Sequence, residues 1–106
     1  MACQICEHEM PFKKRNGEYY FEAVEAFSNG YFSKEHVAQY LALCPLCAAM
    51  YKEFIKHDAS AMRELHDSLK NSDEHTFPLQ LGEVETSIRF VETHFRDIET
   101  ILKQLT

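Results

Sequence analysis

Two cysteine pairs of the same form, Cys3-Gln4-Ile5-Cys6 and Cys44-Pro45-Leu46-Cys47, constrain this chain more than anything else in it. Two residues between cysteines make a tight knuckle that brings both sulfurs to one ion, at about 2.3 Å when the ion is zinc. Two such pairs in 106 residues read as a closed structural site, with Cys3, Cys6, Cys44 and Cys47 around one Zn²⁺. The pairs are 37 residues apart, from Glu7 to Leu43. A simple zinc ribbon uses about 15–20, so there is room for a hairpin and a short helix between the two halves of the site. The competing readings are four reduced core thiols or two redox pairs. A thioredoxin-like pair needs a strand before its first cysteine, and only Met1 and Ala2 precede Cys3. His8 or His36 could replace one cysteine, although four cysteines already close a structural site.

A chain of this length buries a modest core and is expected to form one compact domain, or one module of something larger. Structural zinc then becomes a main source of stability, because apparent binding energies of about 10–16 kcal/mol make metal loss equivalent to unfolding. No signal peptide and no apolar run of about 18 residues is present. The expected compartment is the cytoplasm, where thiols stay reduced, with no membrane contact. The formal charge is −6, and four thiolates around one divalent ion add about −2. An acidic domain gains little from counterion release on nucleic acid. The local exception is Lys13-Lys14-Arg15, which reads first as a solvated hairpin tip and second as a phosphate-binding patch.

The order of elements follows from turn chemistry and periodicity. Asn16-Gly17 between Pro11-Phe12 and Tyr19-Tyr20-Phe21 signals a hairpin. A two-residue loop pairs Arg15 with Glu18 and Phe12 with Phe21, and the second strand could run to Phe27. Ser33 is placed to cap a short helix from Lys34 to about Tyr40. Cys44-Pro45 opens a further helix with proline in its first turn. Met50 and Phe54, with Tyr51 and Ile55, make an apolar stripe on it. Asp58 or Ser60 caps the next helix, whose inner face is Met62, Leu65 and Leu69. Residues 71–74 form the best internal boundary. It divides a cysteine-bounded unit with helical extension, residues 1–72, from a hairpin plus helix, residues 73–106, packed into the same domain. In the second hairpin Gly82-Glu83 fits a type II′ turn. That register puts Phe77, Leu79, Leu81, Val84, Thr86, Ile88 and Phe90 on one face, with Pro78 marking an edge strand. A closing helix spans Glu92 to Gln104, with Phe95, Ile98, Leu102 and Leu105 at helical spacing.

The first half has a definite order: a two-ligand knuckle, a hairpin, then two ligands at a helix start. CQIC…YYFEAVEAF…YLALCPLCAAMYKEF resembles the zinc-stabilised HNH endonucleases over about residues 3–55. The resemblance implies an α+β fold: a small zinc-held treble clef with helices, followed by a β-hairpin and C-terminal helix. It also implies where catalytic histidines would stand, and the residues there are Val24, Glu25, Ala48 and about Lys52. Gln39-Tyr40 stands where the family carries asparagine. A metal-dependent nuclease needs a general base of near-neutral pKa and hard ligands for its ion, and valine and alanine supply neither. Glu22 or Glu25 could hold magnesium, but solvated charges are the simpler reading. The expected function is therefore a non-catalytic interaction module that docks a partner protein or a domain of its parent chain, not an enzyme. The alternative is a nucleic-acid-binding module that uses Lys13, Lys14 and Arg15. A residual nuclease comes third. No small-molecule substrate is singled out. The tail also resembles the C-terminal ends of large bacterial multidomain proteins.

Overall fold

The computed structural model describes residues 1–27, 40–71 and 74–104. The chain is a mixture of helices and small antiparallel pairs. In order these are β1 (Glu22–Glu25), β2 (Tyr40–Leu43), α1 (Pro45–Tyr51), a π-helical turn (Lys52–Lys56), α2 (Ala59–Asn71), β3 (Thr76–Leu81), β4 (Val84–Arg89) and α3 (Glu92–Gln104). β1 pairs with β2 and β3 with β4, as two separate two-stranded sheets.

The first hairpin forms, but one residue out of the expected register. Lys13 pairs with Tyr19, the Lys14 N–H donates to the Glu18 carbonyl, and the Gly17 N–H donates back to the Lys14 carbonyl. The loop is thus Arg15-Asn16-Gly17, with Gly17 at φ +89°, a conformation that favours glycine at the third position of such loops. The Asn16 Oδ1 accepts from the Glu18 N–H at 3.0 Å and fixes that longer turn. Phe12 consequently stacks on Tyr20, with centroids 4.8 Å apart, in place of the pairing with Phe21. The strand expected to continue to Phe27 is instead β1, which pairs Val24 with Leu41 and Ala23 with Ala42. Tyr40, expected to end a helix, begins β2; the rest of that expected helix lies outside the described residues.

From Cys44 onward the expected elements form. Cys44 is the N-cap of α1 and Pro45 its first residue. The buried stripe runs through Tyr51 and Ile55, whereas Phe54 is exposed. The π-helical turn brings Phe54 beside the second hairpin, where a Cβ on Gly82 would lie 2.9 Å from its ring. Asp58 caps α2, its Oδ1 accepting from the Ser60 and Ala61 N–H groups at 3.0 and 3.1 Å, and Met62, Leu65 and Leu69 are buried. β3 and β4 pair without a slip from Thr76–Arg89 to Leu81–Val84. Gly82 takes φ +65° and Glu83 does not go positive, as a type II′ turn requires. Five of the seven same-face residues are buried; Thr86 is half-buried and Val84, beside the turn, is 49% exposed. On α3, Phe95, Ile98 and Leu102 are buried, and Leu105 lies outside the described residues. The buried side chains of both halves belong to one cluster, so the cysteine-bearing half and the tail share a core.

Candidate metal centre

The two cysteine pairs arrive from different structures. Cys3 and Cys6 sit in a knuckle closed by the Cys3 N–H donating to the His8 carbonyl and the Glu7 N–H donating to the Cys3 carbonyl, each at 3.0 Å. The bridge between Ala2 and Glu9 holds its ends together. Glu7 turns the chain at φ +64°, a left-handed conformation that costs a non-glycine residue roughly 1–2 kcal/mol. Cys44 and Cys47 come from the start of α1, where Pro45 fixes the first turn without needing a hydrogen bond. The Cys44 Sγ accepts from the Cys47 N–H at 3.5 Å. It therefore serves as helix cap and candidate ligand together.

All four sulfurs lie within 4.8 Å of one another, and those of Cys6 and Cys44 are 3.9 Å apart. Each cysteine is a free thiol. Cys3 and Cys47 are buried, Cys6 and Cys44 half-buried. The cluster could hold one metal ion, and a set of four soft sulfur donors selects ions that favour thiolate over carboxylate or water. Among the described residues no other group of three or more His, Cys, Asp or Glu side chains converges in this way. His8 is exposed and not part of the cluster, and His36 lies outside the described residues.

The electrostatics fit a cation at the centre. Burial of Cys3 works against its ionisation, yet the backbone N–H groups of Cys44, Ile5 and Cys6 outweigh it and hold this thiol below its ordinary value. Burial pushes the Cys6 thiol up, with Cys3 beside it adding to the effect. Burial, then Cys44 and Cys3, drive Cys47 far above the usual thiol range. A cluster that stabilises one thiolate and resists the next is short of positive charge. A divalent ion held by Cys3, Cys6, Cys44 and Cys47 would supply it and would deprotonate these thiols.

One residue between the cysteines does work that the spacing did not reveal. The Gln4 N–H donates to the Ala42 carbonyl at 3.1 Å, and its Oε1 accepts from the Ala42 N–H at 2.7 Å. Its Nε2 donates to the Arg89 carbonyl at 2.9 Å, and its own carbonyl accepts from the Arg89 N–H at 3.0 Å. Gln4 thus ties the knuckle to β2 on one side and β4 on the other. Arg89 adds its guanidinium, donating to the Ile5 carbonyl at 3.1 Å and pairing with Glu7 at 3.2 Å. The available signal was a long amide side chain inside a knuckle, where most positions face solvent or core.

The basic run sits at the turn of the first hairpin. Lys13 lies over the Tyr19 ring at 4.9 Å, and Lys14 pairs with Glu18 at 3.7 Å. Arg15 is exposed and has no ion-pair partner among the described residues. The positions where the resemblance implies histidines are spread over β1 and the first helical stretch. Val24 and Ala48 are buried core residues, Glu25 is half-buried and Lys52 exposed. Of the remaining histidines, His75 lies against Phe95 and His94 against Phe90. His66 lies edge-on to Phe27, and His57 is 3.9 Å from Glu53. No described helix is long and apolar enough to cross a membrane. No family model, curated protein or solved structure matches this chain.

Proposed function

We propose that this chain is a non-catalytic, zinc-held docking module of treble-clef form, related in architecture to the HNH endonucleases but without their chemistry. The observation that carries the reading is the convergence of four thiols from a knuckle and a helix start, with sulfurs within 4.8 Å of one another. A tetrahedral Zn²⁺ with sulfurs at ~2.3 Å needs them about 3.8 Å apart, close to the 3.9 Å between Cys6 and Cys44. Four protein ligands leave no open position for water or substrate, which is the mark of a structural rather than catalytic site. Val24 and Ala48 are aliphatic and buried where the resemblance implies histidines, and neither can move a proton or hold a second ion. The docked partner is another protein or a domain of a longer parent chain, of the bacterial multidomain kind that the tail resembles. A reducing compartment such as the cytoplasm suits the free thiols.

A second reading has one observation in its favour. Phe12 is 54% exposed and stacked on Tyr20, on the hairpin whose loop carries Arg15, and such a pair could receive an unpaired base. Two of the three cations are already engaged by Tyr19 and Glu18, so this reading ranks below docking.

The test is direct. Metal analysis of the purified chain is expected to return one zinc per molecule, and plasmid incubated with magnesium or manganese is expected to remain un-nicked. Affinity capture with the zinc-loaded protein is expected to recover a protein partner. Absence of any partner or self-association removes the docking reading. Nicking abolished by Glu25→Ala restores the nuclease. Binding to single-stranded nucleic acid that is lost when Lys13, Lys14 and Arg15 become alanine transfers the function to the hairpin.

A further inference from the structure

The outer face of the β1–β2 sheet is not covered by the core. Because β1 pairs Ala23 with Ala42 and Glu25 with Tyr40, this face presents a floor of two alanines with an aromatic ring at each end, Phe21 and Tyr40. The opposite wall is the entry to α3, from Val91 to Asp97. Together they enclose a groove of about 690 Å³, within the range of pockets that take a bulky apolar group. Two of its apolar walls are open to solvent: Val91 is 74% exposed and Phe21 40%. A second hollow of about 620 Å³ adjoins it, sharing Gln4, Ala42, Val91 and His94 and lined also by Glu7 and Arg89, which pair with each other.

The charges around it are unequal in an informative way. Helix α3 supplies its other two carboxylates with a cation one turn on, Glu92 with Arg96 and Glu99 with Lys103. Asp97, the carboxylate in the groove, has Thr93 and Ile101 at those positions, and its side chain has no hydrogen-bond or ion-pair partner among the described residues. No lysine or arginine is among the described residues around this part of the groove, and the whole chain carries −6. An apolar floor beside an unpaired carboxylate is complementary to an apolar group beside a cation.

We propose that this groove is the docking site, and that it takes a basic amphipathic segment of a partner protein. A leucine- or phenylalanine-sized side chain seats on Ala23 and Ala42, and a neighbouring lysine or arginine pairs with Asp97. The proposal rests on the docking reading above and deepens it by naming the surface and the chemistry of the partner.

The zinc-loaded, ¹⁵N-labelled full chain is titrated with three synthetic peptides of equal length: one alternating lysine and leucine blocks, one with glutamate for lysine, one with serine for leucine. The lysine–leucine peptide is expected to shift the amides of Ala23, Ala42, Val91 and Asp97, and each of the others to bind at least about tenfold more weakly. Asp97→Lys is expected to abolish that binding and Asp97→Asn to weaken it, while Glu83→Lys, at the turn of the second hairpin, leaves it unchanged. Equal loss with Glu83→Lys reduces the effect to attraction by net charge and overturns the proposal. So does failure of all three peptides to bind. So too do shifts confined to the Phe12–Tyr20 hairpin, or a contact from residues 28–39 or a second copy to Ala42 in the free protein. Affinity capture with wild type and Asp97→Lys runs in parallel. A partner held equally by both sinks the groove and leaves the docking reading standing, whereas no partner with either sinks the docking reading itself.

Discussion

The two ends of this chain are built by different means. From β3 to α3 the protein uses ordinary devices: six-residue strands paired from end to end, a glycine turn, and a helix with one buried face. Around the cysteines it has two four-residue strands, two isolated bridges and a helix of seven residues. Such short pieces bury little and are marginal alone. The tail therefore holds together through apolar contact, while the cysteine-bearing half, which also feeds buried side chains such as Leu41, Leu43 and Tyr51 into the shared core, is expected to gain further support from an ion held by its four thiols. The expected division is between a metal-supported knuckle and a packed core, joined at a seam formed by Gln4 and Arg89.

The largest effect should come from the ligands. Serine at position 44 keeps the helix cap, since serine is a good N-cap residue, but weakens the metal site. Cys44→Ser is expected to lose bound metal and, with it, most of an apparent binding energy of about 10–16 kcal/mol. Amide exchange should collapse first around the knuckle, β1, β2 and α1. If β3, β4 and α3 lose protection at the same rate, the division of labour is wrong and the domain has a single support. The complementary change is Ile98→Ala, which hollows the tail at a residue with no exposure. It should cost about 2–5 kcal/mol while one metal ion per chain is retained.

Gln4→Ala tests the seam. It strips partners from the Ala42 N–H and the Arg89 carbonyl, and is expected to cost about 1–3 kcal/mol by chemical denaturation. Metal content should be unchanged, and the two halves should begin to melt separately. A single sharp transition of undiminished midpoint would show that the shared core alone couples them. The smallest effect is one of pH. Tyr51 is fully buried and its hydroxyl donates to the Ala26 carbonyl at 2.5 Å; burial pushes its pKa far above the usual tyrosine range. The folded state therefore holds this proton more tightly than the unfolded chain does. The corresponding stability is complete below the unfolded value of about 10 and falls as pH rises beyond it, by about 1.4 kcal/mol per unit. In the metal-loaded protein the thiols are already thiolates. Tyr51→Phe should accordingly flatten the alkaline loss while lowering stability at neutral pH, and an unchanged slope would assign that loss to other groups.

What was legible in the sequence follows the same divide. The tail was readable in detail because alternation, a glycine turn and helical spacing are local signals, and tertiary packing agreed with all three. The four cysteines were readable because their spacing is the geometry. Between them the reading weakened. Tyr40, expected to end a helix, and Leu41-Ala42-Leu43 after it form a strand because β1 and Gln4 claim their backbone. The first hairpin slipped by one residue because Lys14-Arg15-Asn16-Gly17 closes a three-residue loop as readily as a shorter one. Gln4 offered only the hint of a long amide inside a knuckle, since both its partners lie far along the chain. Asp97 stands three residues from His94 and eight from Arg89, and nothing in that spacing separates their roles. The structure puts Arg89 on the knuckle and leaves Asp97 in the groove.

The reach of Gln4 also has a consequence for how the molecule is made. Residues 3–6 leave the ribosome well before their partners at Cys44 and Cys47, and Arg89, 85 positions from Gln4, comes much later still. During synthesis the first two thiols must wait unpaired, open to oxidation or to capture by another metal, until the helix start arrives. β4 then closes over the backbone of the loop that carries them. The tail thus acts as a late seal on the cysteine knuckle, and a protein released before residue 89 would carry its cysteines without that cover.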